Sequence, residues 1–150
     1  MLKYQNPDGA KNVMLFAPLV RTATPTLVNT PVEGFACVEF DLFTGVGGIT
    51  FTDTNKLEWI VKHGDSATPA SQAAVAAADL ILPAGLTWAA GGIVWGLVAA
   101  HAAALMHTIQ YVGGEKNVSI QPTFGGTHAT GTSIAAKARL SRGRHSPPIA

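Results

Sequence analysis

The feature that most constrains this 150-residue chain is a repeat of period two in its apolar residues. In residues 35–44, Ala36, Val38, Phe40 and Leu42 alternate with Cys37, Glu39, Asp41 and Phe43. In residues 56–63, Leu57, Trp59 and Val61 alternate with Lys56, Glu58, Ile60 and Lys62. Near the C-terminus Ile134, Ala136, Ala138 and Leu140 stand opposite Lys137 and Arg139. Successive side chains of a β-strand point to opposite faces, so each run makes a strand with one buried face.

Glycine and proline punctuate the rest into short pieces. Residues 13–20 form an apolar run broken by Pro18, which suits an edge strand or an extended arm. Residues 22–31 are rich in Thr and Pro and are expected to be extended and irregular. Residues 49–51 read as a short strand or crossing, and Asp53-Thr54-Asn55 as a turn. Residues 67–78 are alanine-rich, which favours a helix as much as a loop with one or two helical turns. Residues 80–82, 93–98 and 108–112 are further strands, with a turn at Gly91-Gly92 and a short helical turn over 99–106. Val118, Ile120 and Phe124 share a face opposite Asn117, Ser119, Gln121 and Thr123, and Pro122 places that strand at an edge or bulge.

Seven or eight short strands with turn signals every 8–15 residues, and no alternation with long helices, specify an all-β fold. The expected architecture is one antiparallel β-sandwich, jelly-roll-like, with its core in residues 32–140. Residues 1–31 are expected to form an N-terminal arm and residues 141–150 a C-terminal tail.

Only 13% of residues are charged, about half the usual share, so the surface is poorly defended against self-association. The charge is also uneven. Residues 116–150 hold five basic side chains and no acid, whereas residues 1–115 hold five basic and nine acidic ones, a net of −4. Large apolar groups at the outward positions Phe43 and Ile60, with the cations Lys137, Arg139, Arg142 and Arg144, are therefore the candidate interface residues. The basic tail has no interleaved aromatics, so direct contact with nucleic acid is not expected. The uncharged stretch 80–100 is long enough to span a bilayer, but Pro83, Gly85, Gly91, Gly92 and Gly96 break it, and no membrane contact is expected. No secretory leader is evident at the N-terminus.

The chemistry-bearing residues do not assemble into a motif. Cys37 is the one cysteine, and the five histidines have no metal-ligand spacing. His63, Asp65 and Ser66 sit in one loop and read as turn chemistry, since a triad draws its members from separate elements. There is no Gly-x-Ser-x-Gly elbow, and the glycine pairs lack a phosphate-binding helix or lysine. Glu39, Asp41 and Glu58 fall on outward faces as solvated carboxylates. Asn117-Val118-Ser119 fits a glycosylation acceptor by chance. No enzyme activity, cofactor or metal is expected.

A resemblance rests on the order of the turn motifs. Residues 19–24 precede Gly34-Phe35, then Gly45-Val46-Gly47-Gly48-Ile49-Thr50-Phe51 and Thr54-Asn55-Lys56-Leu57-Glu58 leading to His63. Gly91-Gly92-Ile93-Val94, Ala100-His101-Ala102-Ala103 and Tyr111-Val112-Gly113-Gly114 follow, then Phe124-Gly125-Gly126-Thr127-His128-Ala129-Thr130-Gly131-Thr132. Over most of residues 15–145 this resembles the small β-rich head decoration, or cement, proteins of tailed bacteriophages. It departs from them at Glu115-Lys116-Asn117 and in the length of residues 67–78. The resemblance implies a virion structural protein made in the host cytoplasm and bound to the outer surface of the phage head. Its implied partners are the major capsid protein and itself, as a dimer or trimer. A tail tube, head–tail adaptor or other tail-associated protein is the alternative, and a carbohydrate-binding β-sandwich for host attachment the second.

Overall fold

The computed structural model describes residues 10–46 and 51–141. Ten strands form two antiparallel sheets: β1 (Lys11–Arg21), β2 (Val28–Pro31), β3 (Cys37–Thr44), β4 (Lys56–Gly64), β5 (Ala73–Ala74), β6 (Leu80–Ile81), β7 (Ile93–Leu97), β8 (Leu105–Tyr111), β9 (Asn117–Gly125) and β10 (Thr132–Ser141). The first sheet runs β1-β10-β3-β8-β6. The second runs β2-β9-β4-β5, with β7 also paired to β4. The all-β sandwich expected from the alternation is thus the fold.

Its pairing is nested. β1 pairs β10, β2 pairs β9, β3 pairs β8 and β4 pairs β7, as if one long hairpin had been rolled up. That is the jelly-roll arrangement. The two-residue strands β5 and β6 are additions that extend the second and first sheets.

The core follows the alternation. Phe40, Leu42, Leu57, Trp59, Val61, Ile109, Ile120 and Ile134 are fully buried between the sheets. Small residues make room for large ones. Ala136 lies between Phe16 and Leu42, and Ala138 between Val13 and Phe40, so the middle of β10 is low where its neighbours are bulky. Trp59 occupies the centre. Its ring meets Phe16 edge-on at 6.3 Å between centroids, and its indole N–H donates to the Thr44 hydroxyl at 3.2 Å. Trp59 belongs to one sheet and Thr44 and Phe16 to the other, so this bond ties the layers together.

Several expectations are corrected. Residues 11–31 are not an arm: β1 and β2 are sheet strands, and Leu15 and Phe16 are buried in the core. Residues 1–9 of the expected arm and 142–150 of the expected tail lie outside the described residues, as do 49–50 of the expected strand or crossing and the two residues before them. No helical turn forms over 99–106. Leu105 and His107 instead continue the inward phase of Ile109 and Tyr111. Residues 67–78 take the second of their two expected forms, a loop with short helical turns and no longer helix: 3₁₀ turns at Pro69–Ser71 and Ala77–Asp79 flank a stretch that the fully buried Val75 and the tethered Gln72 hold extended.

Pro122 lies within an interior strand with no bulge against β4, whose register runs unbroken from Lys56↔Gly125 to Gly64↔Asn117. It is tolerated because β2 ends opposite Ile120. Two residues on, the Phe124 N–H points to that same side and is satisfied by the Thr24 hydroxyl. The donor that proline lacks therefore faces a stretch without a ladder partner.

The Gly91-Gly92 turn is present, with both residues at positive φ. A Cβ on Gly92 would lie 2.3 Å from the Val61 carbonyl, so only glycine fits. The uncharged stretch 80–100 becomes β6, a loop and β7, and among the described residues no helix is long and apolar enough to cross a membrane.

If β1 is structural, Phe16→Ala should destabilise the fold by about 3–5 kcal/mol, as for a buried aromatic. An arm residue would cost less than about 0.5 kcal/mol. Urea unfolding midpoints of the two proteins separate these outcomes.

Candidate interaction face

The outer face of the first sheet gathers three of the expected interface residues. Its side chains form levels across the strands. At one level Ala135 of β10, Phe43 of β3 and Met106 of β8 stand side by side. At the next come Met14, Lys137, Asp41 and Thr108, and then Asn12, Arg139, Glu39 and Gln110. Read along the strands, β10 carries a column of cations and β3 a column of anions.

These charges are paired within the sheet. Lys137 Nζ lies 3.2 Å from Asp41 Oδ2, and the Thr108 hydroxyl donates to the other Asp41 oxygen. Arg139 holds Glu39 through Nε at 2.6 Å and also through Nη2. The hydrogen bond and charge of Glu39 push the Arg139 guanidinium above its ordinary pKa, so it stays a cation under all ordinary conditions. Such exposed pairs add little stability, typically about 0.2–1 kcal/mol each.

Beside the ladder is a shallow apolar depression of about 160 Å³, bounded by Met14, Phe43, Met106 and Ala135. Met106 is 66% exposed and Met14 61%, high for large apolar side chains. Neither was singled out in the sequence. Met14 falls in the run that reads as an edge strand or an arm and Met106 in the expected helical turn, although extending the phase of Ile109 and Tyr111 back to Leu105 turns Met106 outward. Ile60 does not join this group. It sits half-buried on the outer face of the other sheet, between Ile93 and Gln121. Arg142 and Arg144 lie outside the described residues.

On the outer face of the second sheet, the end that carries Asn29, Asn117 and Ser119 is covered by the loop that follows β4. Asn29 donates to Asn117, Gln72 donates to Asn29 and to the Ser66 carbonyl, and Asn117 donates to the Asp65 carbonyl. Ser119 and Asn117, expected to face outward, are buried beneath this network. Asn117 is thus spoken for as a hydrogen-bonding group and closed to a glycosylating enzyme in the folded protein. The Ser66 hydroxyl accepts from the Thr68 N–H, the turn chemistry expected of this loop.

At one end of the sandwich Tyr111 of the first sheet meets His63 of the second. The Tyr111 oxygen accepts from the Glu115 N–H and shares a second hydrogen bond with His63 Nδ1 at 3.0 Å, whose direction follows the histidine tautomer. The hydroxyl borders a cleft of about 370 Å³ that also includes Phe35, Glu33 and Lys116. Burial, with the charges of Asp79 and Glu115 adding to it, raises the Tyr111 pKa above its usual value, against the lowering effect of the Glu115 N–H.

The other described histidines also pack on aromatic rings: His101 stacks on Phe51, His107 meets Trp95, and His128 meets Phe124. Among the described residues no three His, Cys, Asp or Glu side chains converge as a metal site would require. Of the tryptophans, Trp59 and Trp95 are buried, and Trp88 packs against the core with its N–H on the Val75 carbonyl. No family model, curated protein or solved structure matches this chain.

Tyr111→Phe should cost about 1 kcal/mol at neutral pH, through the lost inter-sheet hydrogen bond. Because the folded-state pKa is raised, the phenol's contribution is complete below the unfolded value of about 10 and is lost as pH rises through the folded one. The wild type should therefore lose stability in alkali more steeply than the variant, which urea titrations at neutral and alkaline pH would reveal.

Met106→Ser should change stability by no more than about 0.5 kcal/mol. A cost above about 1 kcal/mol would assign Met106 to the fold and not to a contact surface.

Proposed function

We propose that this protein is a virion building block, a decoration protein that binds the outside of a viral shell and reinforces it, and that the outer face of the first sheet is a surface it uses to pack against neighbours. The observation that carries the reading is that face. It is a full sheet surface whose charges are neutralised in place, with the exposed Met14 and Met106 and the half-buried Phe43 beside them. Exposed apolar groups concentrated on one sheet face mark a contact site more often than a solvated one.

Two further features support the reading. Jelly rolls serve in viral capsid and lectin domains among others, although fold alone does not assign function. The low charge of the chain suits many modest, repeated contacts, in which avidity substitutes for a single tight one. The order of turn motifs resembling phage head decoration proteins points the same way. A sugar-binding role draws less support, because the three tryptophans are taken up by the core and its margin and supply no stacking platform.

The test is co-sedimentation of the purified protein with phage capsids that lack it, followed by imaging. Saturable loading at a fixed copy number per capsomer is expected. Absence of loading, with rings or tubes formed by the protein alone, would replace this reading with that of a tail component.

A further inference from the structure

The arrangement of charge on the first sheet specifies a partner. Cations occupy β10, at Lys137 and Arg139, and anions occupy β3, at Asp41 and Glu39, on adjacent antiparallel strands. We infer that the outer face of this sheet is the two-fold interface of a homodimer, with the axis lying parallel to the strands between β10 and β3.

The argument is one of symmetry. A two-fold axis in the plane of contact lays a sheet face on its own copy in two simple ways. With the axis along the strands, every side chain meets the residue at its own level on the other strand. Lys137 then lies over Asp41 of the second copy and Arg139 over Glu39, and the apolar level of Ala135, Phe43 and Met106 lies over itself. With the axis across the strands, between the two charged levels, cations lie over cations and anions over anions, and the apolar level meets the opposite end of the sheet. Like charges directly opposed in a desolvated contact are strongly unfavourable, so only the first arrangement is self-complementary. The relative twist of packed sheets, about 30°, splays the levels without exchanging their signs.

The size of the face sets the strength. Four full strands about 4.8 Å apart and about eight residues long span roughly 19 by 26 Å, near 500 Å² in projection. That lies below the roughly 800 Å² per partner of a standard interface, so the dimer is weak and salt-sensitive. The inference rests on reading this face as a contact surface. It does not depend on whether a shell is bound.

Sedimentation velocity over a concentration series at low salt tests it without any shell present, so its outcome is separate from that of shell loading. The wild type should dimerise, and 1 M salt, which shortens the screening length to about 3 Å, should weaken the association at least tenfold. Lys137→Glu with Arg139→Glu makes an all-acidic face, and Glu39→Lys with Asp41→Lys an all-basic one. Each variant alone should be monomeric, and a one-to-one mixture should form a heterodimer tighter than the wild-type dimer. Met106→Glu, at an exposed site, should abolish the dimer while leaving the fold intact, which guards against charge variants that fail to fold. A wild type that is monomeric at all concentrations, or that forms trimers or rings, overturns the inference. So do charge variants that each still dimerise alone, or a mixture that stays monomeric.

Discussion

The hydrogen bond from the Trp59 indole to the Thr44 hydroxyl is the constraint around which the sandwich is arranged. Both groups are fully buried, and the indole N–H and the hydroxyl meet there as donor and acceptor. Leaving either one unpaired in that environment carries a desolvation penalty larger than the bond's own net value. The pair therefore fixes how β3 and β4 slide relative to each other across the core, a relation that apolar packing alone would leave adjustable. Phe16 closes the same site from β1, so the edge strand of the first sheet is registered against the second sheet through a single aromatic ring.

Small residues on β10 complete this arrangement. Ala136 and Ala138 are the low points that let Phe16, Phe40 and Leu42 reach the middle of the core. Their inward methyl groups and the outward Lys137 and Arg139 come from the same alternation. One strand thus sets both the depth of the core and the sign of the surface above it.

The strands legible in the sequence are those whose two faces see different solvents. β3, β4 and β10 each have one side in the core and one near water, and their alternation is clean. β9 misled because its second face is also covered: Asn117 and Ser119 look like surface residues but are buried by a loop whose position no local pattern encodes. β1 is legible only as an edge strand or an arm, and it is the edge strand of its sheet: Pro18 and register shifts on either side of Phe16 break the period where the strand enters the core. The interaction face was half legible. Phe43, Lys137 and Arg139 were visible as outward residues, but their neighbourhood depends on the pairing of β3 with β10 and β8, strands about 100 and 65 residues apart along the chain. Ile60 shares their local signature and lies on the other sheet.

The nested pairing also bears on how the protein comes to exist. The outermost pair joins Lys11 to Leu140, so β1 has no partner strand until nearly the last residues of the described chain have been made. Topologies dominated by contacts distant in sequence fold slowly, because loop closure precedes any reward. On a ribosome β1 emerges before every other strand of this sandwich and is the last to be paired, with Met14, Phe16, Leu19 and Val20 in water for the whole interval. Pro18, which offers no backbone donor, makes this waiting strand a poor template for another chain, so the residue that interrupts the run in the sequence also protects it during synthesis.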